Sequence, residues 1–230
     1  MRFLHVRLQA PAGSGAALHD FYGTTLGLER VAGDGDRVRV GETVLELAPA
    51  KGRPFYHYAL LVPGDRFDAA LGWAEERAEL LPDPKTGDVV FESEGWRSRA
   101  CYFHDPADNI VELIAHDGIE VHGAEGAFTA TELLGLSELG VVGDRRAAVV
   151  ELAKLGIDVW DGTLDGDNRL AFAGEQGRTL ILAPDGRPWV PTGRAAEPHP
   201  VDAVVTGGRP GLTTLPGSGS TVRSERAGGA

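Results

Sequence analysis

Histidine and glutamate fall at matching places in two successive stretches of this chain. His5 lies in HVRLQ and Glu46 in VLELA; His57 lies in HYALL and Glu112 in IVELI. Each stretch reads as a strand, along which side chains alternate between faces. Leu4, Val6 and Leu8 share one face and leave His5 on the other, while Leu45 and Leu47 oppose Glu46. His57 shares its face with Phe55, Ala59 and Leu61, and Glu112 with Ile110 and Ile114. A carboxylate buried among apolar neighbours is costly without a partner. A shared cation would relieve both acids, and neutral imidazole is a good companion ligand. The set suits one divalent metal ion (Zn, Ni, Co, Mn or Fe), with positions left open for water or substrate oxygens.

The elements that would position these residues recur along the chain. The pattern predicts a strand over 2–9, a helix over 14–26 and strands over 28–32, 36–40 and 43–48. The same order returns as strand 55–62, helix 65–80 and strands 88–93, 98–104 and 109–115. A third round gives strand 134–142, helix 144–155 and strands 157–160, 168–173 and 178–183, and residues 199–206 read as an opening strand of a fourth. TVLELAPAKGRPF at 43–55 returns as TLILAPDGRPW at 179–189, with Ile181 in the place of Glu46; Glu138 stands in the place of His5. Unit three is therefore expected to pack rather than to hold a metal, with Glu138 solvated. From Pro216 the chain is polar and rich in Gly and Ser, which predicts a mobile tail over 216–230 that can be removed after Ser218 without loss of folding.

Tandem βαβββ units carrying FYGTTLGLERV (21–31), TVLELAP (43–49) and YFHDPADNIVELIAHD (102–117) resemble the vicinal oxygen chelate superfamily of glyoxalases, extradiol dioxygenases and bleomycin-resistance proteins. The resemblance covers 1–116 well and 134–206 weakly. It implies an α+β fold in which units one and two, residues 1–118, form a curved mixed sheet around a metal cavity. A degenerate third unit over 130–208 would cover an edge or the cavity mouth. His5, Glu46, His57 and Glu112 match the superfamily's ligand registers, which implies a glyoxalase-type isomerase or lyase acting on a small substrate with adjacent oxygens. The metal would stabilise an enediolate, and Glu46 and Glu112 would be the catalytic acids and bases. His5, His57 and Glu112 alone would supply the Fe(II) site of an extradiol ring-cleaving dioxygenase. A third reading is a metal-free binding protein of the bleomycin-resistance type. In this superfamily the cavity is built within one chain or between two, which leaves a homodimer open.

Trp96, Arg97 and Arg99 are candidates for the substrate entrance, the arginines suiting a carboxylate or phosphate. Tyr56, Tyr58, Trp160 and Trp189 read as packing, His104 and His116 as exposed or turn-forming, and Cys101 as a small buried hydrophobe. Asp105, Pro106 and Asn109 form a turn that aims the strand of Glu112. His199 is one residue off the His57 register.

The net charge of −12 and pI near 5.0 argue against nucleic acid as a partner, which needs a basic face. One cysteine excludes an internal disulfide and fits a reducing compartment, the cytoplasm by default. Neither a signal peptide nor a membrane-spanning apolar run is expected.

Overall fold

Alternating apolar residues and glycine-marked turns yield strands close to the expected positions. The computed structural model describes residues 1–32, 36–119 and 125–226. Unit one comprises β1 (Arg2–Pro11), α1 (Gly15–His19) continuing as a π-helical turn Asp20–Thr25, β2 (Glu29–Arg30), β3 (Asp36–Val40) and β4 (Thr43–Ala50). Unit two comprises β5 (His57–Val62), α2 (Phe67–Glu75), β6 (Phe91–Ser93), β7 (Ser98–His104) and β8 (Ile110–His116). Unit three comprises β9 (Gly135–Val142), α3 (Arg145–Lys154), β10 (Val159–Gly162), β11 (Ala171–Glu175) and β12 (Arg178–Ala183). A fourth unit follows as β13 (Val201–Thr206), β14 (Gly211–Leu215) and β15 (Ser220–Glu225), without a helix.

The fold is α+β: two curved mixed sheets with few helices, one of them a half-barrel. One sheet has the order β14-β15-β13-β1-β4-β3-β2 and the other β10-β11-β12-β9-β5-β8-β7-β6. In every unit the first strand lies parallel to the last, and two units join head to head through antiparallel first strands, β1 with β13 and β5 with β9. Unit two is therefore sheeted with unit three, and unit one with unit four. This corrects the expected pairing of units one and two around a common cavity. The strands show why. Both faces of β5 and β9 are buried throughout, whereas β1 alternates between Val6 and Leu8 inside and Arg7 outside. Strands covered on both faces belong together in a sheet that encloses something, and half-solvated strands belong at the outside.

One continuous core lies between the sheets. Val6, Leu8, Leu45 and Leu47 of the first sheet and Tyr58, Leu60, Leu113, Leu139 and Leu182 of the second all face it, with Leu18, Trp73 and Leu152 from the helices. Two corners are pinned by polar contacts. Tyr22 and Tyr58 share a hydroxyl–hydroxyl hydrogen bond, and Tyr22 donates to Asp105 Oδ2 at 2.7 Å. Asp105 also accepts from Asn109 Nδ2 at 2.8 Å, and Asn109 Oδ1 accepts from Tyr56 N at 2.8 Å, which ties the turn before β8 to β5. At the other corner Gly41, with φ +51°, lies so close to the Leu134 backbone that any β-carbon would collide with it. Glu42 N donates to Leu134 O there at 3.0 Å.

The expected mobile tail contains β15, which lies between β13 and β14. Its polar residues conceal an alternation: Ser220, Val222 and Ser224 are buried, and Ser220 Oγ accepts from Val201 N at 3.1 Å. Residues 227–230 of the expected tail lie outside the described residues. Deleting 219–230 should remove the strand that joins β14 to the sheet. Lost burial and ladder bonds on the order of 5 kcal/mol correspond to a fall of about 10–20 °C in melting temperature. Thermal denaturation of the truncated chain checks this; an unchanged melting temperature would show that β15 contributes nothing.

Candidate metal centre

The second sheet curves around a cavity of about 310 Å³ on the side away from the shared core. Its floor is set by register. Ala59 on β5 is paired with Glu112 on β8 on one side and with Glu138 on β9 on the other. The two glutamates thus stand one strand spacing to either side of a methyl group small enough to leave space between them. His57, two residues before Ala59 on the same face, completes the group. His57, Glu112 and Glu138 are all buried and each offers a ligand atom, these atoms lying within 4.8 Å of one another.

The group is oriented but not satisfied. His57 Nδ1 lies 3.2 Å from Ile110 O, a carbonyl that can only accept, so this nitrogen donates. Nε2 is left to face the site, 3.3 Å from Glu112 Oε2. Glu138 Oε1 is buried without a hydrogen-bond partner among the described residues. Burial, and then the charge of Glu112, hold the Glu138 carboxyl well above the ordinary range. The Tyr102 hydroxyl, whose residue pairs with Glu112 across β7 and β8, is pushed well up by burial, then by Glu112 and Glu138. Two close carboxylates and an oriented imidazole with a spare oxygen fit a divalent cation.

The walls are apolar and aromatic. The Trp189 ring lies 5.0 Å from His57, centroid to centroid, against Gly140, where a β-carbon would press on both Trp189 and the His57 carbonyl. Trp96 lines the cavity. Its indole N–H donates to Asp161, its ring packs 4.5 Å from Phe172, and its carbonyl accepts from Gln176 Nε2 at 2.7 Å, so it joins units two and three. Ile181 supplies apolar wall where the repeat would place a fourth ligand.

The four residues expected to share a metal are not brought together. His5 and Glu46 lie on the first sheet, and its cavity-like face and that of the second sheet look away from opposite sides of the common core. Glu46 is flanked in register by Arg7 and Arg37, each with its Nε 3.0 Å from a Glu46 oxygen, and His5 Nε2 is 3.0 Å from Oε2. These cations neutralise it in place of a metal. Glu138, expected to be solvated, is instead buried beside His57 and Glu112. The expected entrance arginines also lie elsewhere. Arg97 is exposed, 3.8 Å from Asp117. Arg99 points to α2, ion-paired with Asp68 at 2.8 Å and 4.5 Å from the Phe67 ring centroid. His116 is fully buried rather than exposed, and Trp160 is partly exposed rather than core. Arg187, Tyr102 and Trp189 were missed as cavity residues. The alternation that puts Cys101 in the core puts Tyr102 in the cavity, and burial pushes the Cys101 thiol up to about 12.

No family model matches the sequence, and no curated protein matches it. Solved structures do. A proposed dioxygenase from Bacillus subtilis superimposes with a TM-score of 0.56 at 15% identity, over 97% of this chain and 85% of that one. Glyoxalase I from Zea mays superimposes with a TM-score of 0.52 at 15% identity, over 88% of this chain and 74% of that one. The chain has the vicinal oxygen chelate fold. At equivalent positions of the repeated unit, unit two places His57 and Glu112 on the second sheet and unit three places Glu138 and Ile181. No helix among the described residues is long and apolar enough to cross a membrane.

The raised Glu138 carboxyl has a consequence for stability. The folded, metal-free chain holds this proton to higher pH than the unfolded chain, whose glutamates titrate near about 4.3. More protons are bound in the folded state, so stability falls as pH rises from that value through the folded one. Glu138→Gln removes this loss. In the presence of a chelator its melting temperature should exceed that of the parent at pH 8 and vary less between pH 5 and 8. Equal pH slopes for the two proteins would contradict the assignment.

Proposed function

We propose that the cavity of the second sheet is the active site of a divalent-metal-dependent enzyme acting on a small substrate with two adjacent oxygens. The observation that carries this reading is the buried trio of His57, Glu112 and Glu138, with a Glu138 oxygen that has no hydrogen-bond partner among the described residues. The ion, when bound, would polarise the paired oxygens as a Lewis acid. The chain's own residues do the rest. Ile110 O orients His57, Ala59 leaves the two carboxyls room, and Trp189, Phe91 and Phe172 exclude water and suit a flat substrate.

The chemistry this supports best is ring cleavage of the extradiol type. The isomerase reading drew on a fourth ligand, the Glu46 carboxylate; Ile181 stands at the equivalent place in unit three while Glu46 belongs to the other sheet. Three protein ligands on one face, with open positions beyond, suit an oxygen-using ferrous site. One imidazole and two carboxylates favour Fe²⁺ or Mn²⁺ over softer ions. Glyoxalase-type isomerisation is the second reading. It is favoured by the buried Glu138 oxygen that has no hydrogen-bond partner among the described residues, a group placed to move a proton at a substrate carbon.

Elemental analysis of protein purified without added metal tests the common core of both readings and separates them from a metal-free binding protein. His57→Ala, Glu112→Gln and Glu138→Gln should each lower metal affinity by about tenfold or more, whereas His5→Ala and Glu46→Gln leave it unchanged. Oxygen uptake with catechols under Fe²⁺ loading, against isomerisation of a 2-oxoaldehyde–thiol adduct, distinguishes the two chemistries. Full metal content in the Glu138→Gln protein would sink the trio.

A further inference from the structure

The repeated loop, APAKGRPF at 48–55 and APDGRPW at 183–189, puts an arginine before Pro-aromatic in units one and three, and the structure uses the two differently. Arg53 in the first copy is exposed and ion-paired with Asp108 at 2.9 Å. Arg187 in the second lines the metal cavity and has no ion pair among the described residues. The sequence has 34 acidic residues against 22 basic ones, so partners for an arginine are plentiful. The one hydrogen bond its guanidinium makes among the described residues is Nη1 to Pro188 O at 2.9 Å, which leaves most of its five donors available. Burial, with no compensating charge, lowers its proton affinity.

The loop fixes the backbone from which this side chain projects. Arg187 O accepts from Ala196 N at 2.7 Å, Gly186 N donates to Ala196 O at 2.8 Å, and Trp189 N donates to Arg194 O at 2.8 Å. The Trp189 ring spans the distance between Arg187, whose guanidinium carbon is 6.0 Å from the ring centroid, and His57 at 5.0 Å. The cavity thus has two polar ends joined by one aromatic wall. A divalent ion on His57, Glu112 and Glu138 would be neutralised by the two carboxylates. That end then offers an anion no net attraction, and Arg187 is the cation that remains.

We infer that Arg187 is the specificity-determining anion anchor of this cavity, and that the substrate is a planar, ring-sized molecule carrying a carboxylate opposite its paired oxygens. The inference rests on the metal-dependent reading above for the paired oxygens. A planar guanidinium binds one carboxylate through two parallel hydrogen bonds, and a side chain already ordered loses little freedom in doing so. A substrate lacking the carboxylate would leave the half-buried cation without a partner, which penalises it.

Titration of 3,4-dihydroxybenzoate, catechol and benzoate, followed by tryptophan fluorescence, tests this on the Co²⁺-loaded and the metal-free protein. In the loaded parent, 3,4-dihydroxybenzoate should bind at least about tenfold more tightly than catechol. Arg187→Met should reduce that preference to within about twofold, and Arg187→Lys should keep part of it, the point charge lacking the fork. An unchanged melting temperature in both variants shows that the fold is intact. Benzoate should bind the metal-free parent and not the Arg187→Met protein. Equal binding of catechol and 3,4-dihydroxybenzoate, a preference that survives in Arg187→Met, or benzoate binding indifferent to Arg187 would overturn the inference. Failure to take up Co²⁺ would sink the metal reading, and the benzoate comparison would still decide the role of Arg187.

Discussion

The antiparallel seam between β5 and β9 is the constraint on which the site depends. It sets Glu138 beside Ala59 on one side just as the parallel seam with β8 sets Glu112 beside it on the other. A register shift between Ala59 and Leu60 along β5·β9 lets Glu138 face the cavity while Leu136 and Leu139 both face the core. Sliding the seam by one residue would exchange the two faces and put a glutamate into the core. Holding two carboxyls this close in an apolar setting is unfavourable unless a proton or a cation lies between them. The same backbone pairing that builds the sheet therefore demands a charge to fill the site.

Glu46 and Glu112 occupy the same place in two copies of one unit, and their neighbours decide what each does. On the first sheet the flanking residues are Arg7 and Arg37. On the second they are Ala59 and Tyr102. Arginines on both sides saturate a carboxylate and close it to other partners. An alanine and a tyrosine leave it room and a weak donor. The repeat preserved the residue, and substitutions on adjacent strands changed its chemistry.

The elements of the fold were legible in the sequence because strand alternation, helix spacing and glycine stops are local signals. The seams were not, because four similar units can pair in more than one way and the repeat is blind to which. A signal existed in the strands themselves. HYALLV and LSELGVV are nearly continuously apolar, while FLHVRLQ sets Arg7 and Gln9 beside His5 on the face that was expected to enclose a metal. Weighing those neighbours would have sent His5 to a solvated face and joined Glu138 to His57. The strand β15 was hidden for a different reason. Its inward positions are Ser220, Val222 and Ser224, small and mostly polar, and they are buried by their neighbours rather than by their own hydrophobicity.

Placing β1 between β4 and β13 gives the chain an order of assembly. Units two and three are adjacent in sequence and complete the second sheet between residues 57 and 183, using connections that are local on the scale of the chain. Unit one precedes them in the chain, yet its partner strands follow them. Until they leave the ribosome, β1 is an open strand edge whose backbone groups have no neighbour on that side. The cavity with its trio can thus form on a nascent chain, while the first sheet closes only after β13, β14 and β15 have followed. These later strands seal an edge that has been exposed since β1 emerged.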